Sequence, residues 1–323
     1  MDMKKNRILY IQRFLEEQTD ETHPATIADI LAYLSDLDIT AHRRTVMLDI
    51  KQLIEAEVDV ICNRSRQNEY FIGERHFEMP ELKLLVDAVQ ASKFLTTRRS
   101  KTLINKLLSL TSCHQAESFK NSLYFDRQVK PKNETAYITA DILYTAINTK
   151  RRVRFMYFEY TPDKEKAYKH GRRIYELSPW AFTWDTDNYY IIGYSKTHDK
   201  VATFRVDRIA APKLTDLPAI SVPEDFDLAT YVRSVFQMYD GPMLDVTLKC
   251  KNEFMKTIID RFGEEVHTGI ADAEHFYTKV SVSASKTFYG WVFALDGAIE
   301  ITAPDEAVNA YKSMLNRAIN YSE

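Results

Sequence analysis

The hydrophobic pattern changes period near residue 150, so one uniform architecture cannot account for this chain. Before that point, outside one short hairpin-like segment, apolar residues recur every three or four positions, the spacing that gathers them on one face of a helix. Beyond it they alternate: in RVRFMYFEYT, Val153, Phe155 and Tyr157 fall on one side. YELSPWAFTW, NYYIIGYS and VATFRVDRI continue the strand-rich stretch, broken by the turn-like DTDN and KTHDK. Short strands spaced this closely fit a small antiparallel barrel. Further on, LDVTLKC and FYTKVSVSA read as strands, with KNEFMKTIIDRFG between them as a helix. PDEAVNAYKSMLNRAINY reads as a last helix, turning Ala307, Ala310, Tyr311, Met314, Leu315 and Ile319 toward a core. At 323 residues the chain has room for two or three units with separate cores.

In the first helical stretch, Ile8, Leu9, Ile11, Phe14 and Leu15 mark one side of a helix from about Lys4 to Glu17. Thr26 is placed to cap a second helix, with Ile27, Ile30, Leu31 and Leu34 facing inward. After the link SDLDI, Thr40 is expected to cap a third, AHRRTVMLDIKQLIEAE, in which Val46, Ile50 and Leu53 form the buried stripe. His42, Arg43, Arg44 and Thr45 lie at the start of that helix. Free N–H groups there suit a phosphate, and base edges come within reach if this end enters a major groove. The competing reading is a plain three-helix bundle with a solvated Arg–Arg pair. Asp49 is placed to pin a neighbouring basic side chain. The next segment, VDVICNRSRQNEYFIG, has apolar runs at Val58–Ile61 and Tyr70–Ile72 around a polar tip. That pattern reads as a hairpin of the kind that forms a wing, with Arg64 and Arg66 at its tip facing a DNA backbone.

MPELKLLVDAVQASKFL opens with Pro80 near a helix start, and Leu82, Leu85, Val86, Val89 and Phe94 make it amphipathic. A second helix is expected from about Ser100 to Leu110, after the TTRR interval, and another over ITADILYTAINTKR. Helices of this kind connect domains and pair subunits; packing within their own chain is the alternative. Cys62, Cys113 and Cys250 are widely separated with no CxxC pair, and read as buried free thiols rather than a disulfide or zinc framework.

Net charge is only -3, but it is distributed unevenly. Acidic residues exceed basic ones by four over 1–75 and by eight over 216–323, whereas basic residues lead by four over 76–134 and by five over 135–215. The basic surplus therefore lies in the middle of the chain and not in its first domain. In that middle stretch, Tyr157, His170, Arg172, Arg173, Tyr190, Arg205 and Arg208 fit an anion-binding surface with aromatic platforms. Rings stack on bases and arginine forks bind phosphate; Arg–Asp pairs at a barrel edge are the alternative. No Gly-rich phosphate loop, metal-ligand spacing or nucleophile elbow occurs, and His42, His114, His170 and His198 make no catalytic spacing. The expectation is a protein that is not an enzyme and needs no cofactor or metal. No apolar run reaches the roughly 18 residues of a membrane span. Gln12, Arg13, Glu16 and Glu17 break the N-terminal apolar stripe that a signal peptide would keep whole, so a cytoplasmic protein with no membrane partner is expected.

Several of these segments resemble one family. FRVDRI, Phe204–Ile209, is similar to the arginine-containing strand and turn of bacterial transcriptional regulators with a winged helix-turn-helix head and a WYL domain. NYYIIGYS places Tyr189-Tyr190-Ile191 where that family has Trp-Tyr-Leu, and ELSPWAF, Glu176–Phe182, resembles the Pro-containing segment before it. ITAHRRTVMLDIKQL resembles the recognition helix, and GWVFALDGAIEITAPDEA, Gly290–Ala307, resembles the hinge and strand of a C-terminal extension found in many members. The resemblance implies a multidomain α+β fold in four parts. These are a winged helix-turn-helix DNA-binding domain over 1–75 and a helical linker and dimerisation region over 76–134. A Sm- or SH3-like WYL β-barrel that senses ligand then spans 135–215, and a mixed α/β C-terminal extension spans 216–323. It further implies a transcriptional regulator, expected to repress, working as a homodimer on double-stranded operator DNA and nucleoid-associated when bound. The effector expected is a single-stranded nucleic-acid fragment or nucleotide. Tyr157, Arg205 and Arg208 match ligand-surface positions of the pattern; His170, Arg172 and Arg173 fall in a less definite stretch, and Tyr189 in place of Trp alters the stacking area. The acidic extension suits packing against the opposite subunit's basic barrel. Two other readings stand beside this one. The first is an accessory modulator of a nucleic-acid-processing complex; the second is a nucleic-acid-processing enzyme, which would need clustered metal ligands or a positioned nucleophile and base.

Overall fold

Three helices and a hairpin form where the N-terminal apolar stripes converge on one core. The computed structural model describes residues 6–64, 66–120, 130–131, 134–185, 187–235 and 241–320. The chain divides into two units, Met1–Glu134 and Thr135–Glu323. In the first, α1 (Arg7–Gln18) is followed by β1 (Ala25–Thr26), α2 (Ile27–Asp36) and α3 (Arg43–Glu55). Strands β2 (Val60–Arg64) and β3 (Asn68–Ile72) then make an antiparallel hairpin, and β1 pairs with β3 on its other side. Ile11, Leu15, Ile30, Leu34, Val46, Ile50 and Leu53 meet Tyr70 and Ile72 in a single core. Full burial of each large side chain contributes roughly 1.5–3 kcal/mol.

Thr26 caps α2 in a reciprocal box with Asp29, a local arrangement that the sequence shows directly. Thr40 does not cap α3: the helix begins at Arg43, and His42, in extended conformation, takes the cap position without a side-chain hydrogen bond. Of the expected first helix, Lys4 lies outside the described residues, as does Ser65 of the hairpin tip.

Three more helices complete this unit: α4 (Met79–Ala91), α5 (Thr97–Leu108) and α6 (Cys113–Lys120). Leu82, Val86, Ile104, Leu108, Ala116 and Phe119 form their core. Phe94 lies beyond the end of α4. The TTRR interval is not a link, because the Thr96 side chain accepts the Arg99 N–H and starts α5 there. Helix α6 has too few apolar positions to show a period, and a buried carboxylate fixes it. Asp20, in the turn after α1, accepts Ser112 Oγ at 2.5 Å, Thr22 Oγ1 at 2.7 Å and the backbone N–H groups of Thr22 and His23 at 3.0 and 2.9 Å. The rings of His23 and His114 stack beside it, with centroids 4.0 Å apart.

The second unit opens with α7 (Thr135–Asn148), packed on the strands that follow. These are β4 (Arg151–Tyr160), β5 (Lys166–Tyr168), β6 (Ile174–Asp185), β7 (Asn188–Ser195), β8 (Lys200–Arg205) and β9 (Ile209–Pro218). All pairings are antiparallel; β4, β6, β7 and β8 are neighbours in that order, and β5 and β9 both pair with β4. Residues 206–208 form a single 3-10 turn joining β8 to β9. The alternation expected on β4 holds through Tyr157, since Phe155 and Tyr157 both lie against Tyr175 and Phe204. Phe158, on the opposite face, is buried beside Tyr168, its partner on β5, while Tyr157 is only partly covered. Gly193 is required by a close approach, since a Cβ there would stand 2.2 Å from the Ser178 carbonyl.

Helix α8 (Leu228–Ser234) leads into β10 (Met243–Lys251), α9 (Met255–Phe262), β11 (Thr268–Ile270), β12 (His275–Ser283), α10 (Lys286–Phe293), β13 (Ile299–Ala303) and α11 (Asp305–Ile319). The strand order β11-β12-β10-β13, antiparallel throughout, is a double split β-α-β arrangement. On α11 only Ala307 is buried, with Tyr311, Met314 and Leu315 partly so, whereas Ala310 and Ile319 are exposed, contrary to expectation. The thiols also differ from expectation. Cys250 is buried, its pKa pushed up to about 12 by that burial, whereas Cys62 is half-buried and Cys113 exposed.

Candidate effector cavity and nucleic-acid interface

Strand β8 brings most of the chemistry of the second unit to one place. Alternation along it puts Thr203 and Arg205 on one face and Ala202 and Phe204 on the other, and all four line a cavity of about 340 Å³. The β4 side contributes Tyr157 and Glu159, the turn after β5 contributes Lys169 and His170, and Tyr175, Tyr190 and Arg208 complete the share of the β4–β9 strands. His198 enters from the turn between β7 and β8, and Lys200 from the start of β8. Counting Lys169, Lys200, Arg205 and Arg208 against Glu159, the lining is strongly cationic.

The arginines are held. Arg205 grips Asp207 with two parallel hydrogen bonds, Nε to Oδ1 at 3.1 Å and Nη2 to Oδ2 at 2.8 Å. Burial works against its charge, but the hydrogen bonds and proximity of Asp207 outweigh it and hold its pKa above the ordinary value. Glu159 accepts Lys169 Nζ at 2.7 Å and lies 4.0 Å from Arg208 Nη1. The Lys169 hydrogen bond, with both cations nearby, keeps the Glu159 carboxyl below its usual range despite some burial. Tyr157 accepts the Arg205 backbone N–H at 3.2 Å, and burial pushes its hydroxyl pKa up to about 12. At neutral pH that hydroxyl keeps its own proton to donate. Tyr157, Tyr175 and Phe204 meet edge to face around it.

Of the residues singled out in the sequence, Tyr157, His170, Tyr190, Arg205 and Arg208 come together here. Arg172, Arg173 and Tyr189 do not. Arg172 lies over the Tyr168 ring at 5.4 Å, Arg173 is exposed, and Tyr189 stacks on Phe182 with centroids 4.7 Å apart. The reason is local: His170, Gly171 and Arg172 all have positive φ, and this tight reversal sends successive side chains in different directions. Lys169, Tyr175, His198, Lys200 and Tyr231 were not anticipated. His198 and Lys200 carry the one readable signal, since they precede FRVDRI on the same strand and turn; Tyr231 gives none.

In the first unit, His42, Arg43 and Arg44 are exposed at the start of α3 and Thr45 is half-buried. No acidic residue occupies the first turn, so two arginines stand at the positive end of the helix dipole. That placement is locally unfavourable and becomes favourable when an anion binds there. Asp49 is buried on the inner face and bound by Arg7 of α1, Nε to Oδ2 at 2.6 Å and Nη2 to Oδ1 at 3.1 Å. Arg44, Met47, Leu48 and Lys51 share an outer stripe at helical spacing, with Leu48 more than half exposed. Met47 and Leu48 were missed because an apolar residue in sequence reads as core. Tyr70 of the hairpin lies close enough to feel the charge of Arg43, while Arg64 and Arg66 are exposed at the hairpin tip.

Among the described residues, no group of His, Cys, Asp and Glu is placed to hold a metal, and no helix is long and apolar enough to cross a membrane. Residues 139–214 match the WYL domain. A search of curated proteins found no match. Among solved structures, proteasome accessory factor B/C (PafBC) of Arthrobacter aurescens is similar at 16% identity and a TM-score of 0.32, over 99% of this chain and 49% of that one. The present chain thus spans about half the length of that protein. A CRISPR Cas-related protein is similar at 11% identity and a TM-score of 0.40, over 74% of this chain and 71% of that one.

Proposed function

We propose that this chain is a sequence-specific DNA-binding transcriptional regulator, a repressor, controlled by an anionic nucleotide or short nucleic-acid fragment held in the WYL segment. In this reading residues 1–75 act as a winged helix-turn-helix, α3 is the recognition helix and β2–β3 its wing. The strands from β4 to β9 act as a Sm- or SH3-like barrel. The observation that carries the proposal is the cavity beside β8. It combines four cationic side chains, a protonated Tyr157 hydroxyl and several aromatic faces within the segment that matches the WYL domain. Guanidinium forks recognise phosphate in a fixed geometry, and tyrosine rings stack on bases with little discrimination among them.

Titration at one fixed salt concentration with nucleotides, single-stranded oligonucleotides and neutral metabolites tests it. The wild type is expected to bind the anionic ligands saturably. The Arg205→Ala/Arg208→Ala variant should lose that binding while keeping its far-ultraviolet circular dichroism and its basal affinity for duplex DNA. No saturable binding by the wild type removes the ligand class, and equally tight binding by the double variant removes the two arginines from the site.

A further inference from the structure

The WYL segment does not close its own cavity. Tyr231 and Val235, from α8 and the residue after it, form one wall, although the domain match ends at residue 214. Tyr231 OH lies 3.2 Å from Thr203 Oγ1, and Val235 is buried against Tyr190, with Tyr231 and Val232 packed on the same cluster. The helix is tied down on both sides. Ahead of it, Phe226 contacts Trp180 and Tyr231 at ring distances of 5.2 and 5.4 Å, and Trp180 Nε1 donates to the Ile220 carbonyl at 2.8 Å. Behind it, Arg261 of α9 donates to the Val235 carbonyl at 3.4 Å. Helix α8 therefore touches the barrel on one side and the C-terminal α/β layer on the other.

We infer that α8 is a gate over this cavity, that it restricts the effector to one nucleotide-sized anion, and that Tyr231 is its specificity-determining side chain. The inference rests on the effector reading of the cavity proposed above. At about 340 Å³ the space lies near the lower end of the ~300–1,000 Å³ usual for small-molecule pockets. A phosphate placed between Arg205 and Arg208 leaves the base to lie toward Tyr190 and Tyr231. A second nucleotide joined on that side meets Tyr231 and Val235. A strand can enter only when α8 lifts, which breaks the Thr203–Tyr231 contact and re-exposes Tyr190 and Val235. Because α9 holds the same helix through Arg261, lifting α8 also loosens the C-terminal layer. Ligand length would thus be read out as a change in that layer.

Calorimetric titration of the full chain with nucleoside 5′-monophosphates and the matching 5′-phosphorylated trinucleotides tests the gate. The wild type is expected to prefer the monophosphates. Tyr231→Ala should shift the trinucleotide-to-monophosphate affinity ratio by about tenfold toward the trinucleotides, the scale of one hydrogen bond and its packing. Tyr231→Phe, which keeps the ring and loses only the hydroxyl, should shift it less. If Tyr231→Ala fails to fold, Thr203→Val removes the same contact from the barrel side and carries the same expected direction. A wild type that already prefers trinucleotides overturns the gate. So does a ratio unchanged by these variants while Arg205→Ala/Arg208→Ala still abolishes binding, and in that case the effector reading survives. No binding of either probe by the wild type overturns the effector reading itself and the gate with it.

Discussion

Asp207 decides what Arg205 does. Its carboxylate occupies both prongs of the guanidinium, so an incoming phosphate competes with a partner already in place. If the pair is a resting state of a ligand site, Asp207→Asn weakens the competitor, and affinity for a nucleoside monophosphate should rise several-fold. If the pair is a brace that aims Arg205, the same change should lower affinity, and titration of the variant beside wild type distinguishes the two signs. On α3 the matching test is Arg43→Ala/Arg44→Ala. Loss of a bidentate base contact costs about 1–3 kcal/mol. Operator binding at fixed salt should weaken by at least that much, and unchanged affinity would remove this helix end from the interface.

Among the elements, one buried carboxylate ties the turn after α1 to the start of α6. Burial alone would raise the Asp20 pKa, but hydrogen bonds from Ser112, Thr22 and His23 and from the Thr22 backbone outweigh it and hold the group well below the usual carboxylate range. The folded state therefore binds its proton less readily than the unfolded state, whose carboxyl titrates near ~3.9. Stability from this group is fully present above that value and is lost as the pH falls through the folded pKa. Urea unfolding of the wild type should show a falling midpoint below about pH 5. Asp20→Asn should lower the midpoint at pH 7 and flatten the acid branch. An acid branch as steep in the variant as in wild type would assign it to other carboxylates.

At the scale of the whole molecule, one reading head touches a single half-site, and two heads add both affinity and specificity. The protein is expected to be a homodimer on an inverted repeat whose half-sites are spaced by the DNA helical repeat. Among the described residues of the expected dimerisation region, Leu84 on α4, Leu103 on α5 and Leu110 are exposed apolar side chains available to a second copy. Sedimentation of free and operator-bound protein provides the measurement. A monomer in both samples, at concentrations that fill the site, rejects the dimer.

The local rules written into the chain were enough to set the change from helical to alternating period, the Thr26 cap, the hairpin after α3 and the strand carrying Arg205. Each depends on residues no more than a few positions apart, and so each was legible. Thr40 does not cap because a capping side chain reaches the N–H groups two or three residues on, and the helix begins only at Arg43, which leaves the cap position to His42. Phe158 is buried although the alternation marks Tyr157 as the inward residue, because β5 folds back and sets Tyr168 beside it, which the pattern of β4 alone does not show. The cavity was the least legible feature. Lys169 comes from a turn, Tyr175 from β6, Lys200 and Arg205 from β8 and Tyr231 from α8, and what joins them is proximity in space. Sequence fixed the charge and the rings available to this protein; tertiary packing chose which of them face one another, because burial and strand register act between residues that the chain itself keeps far apart.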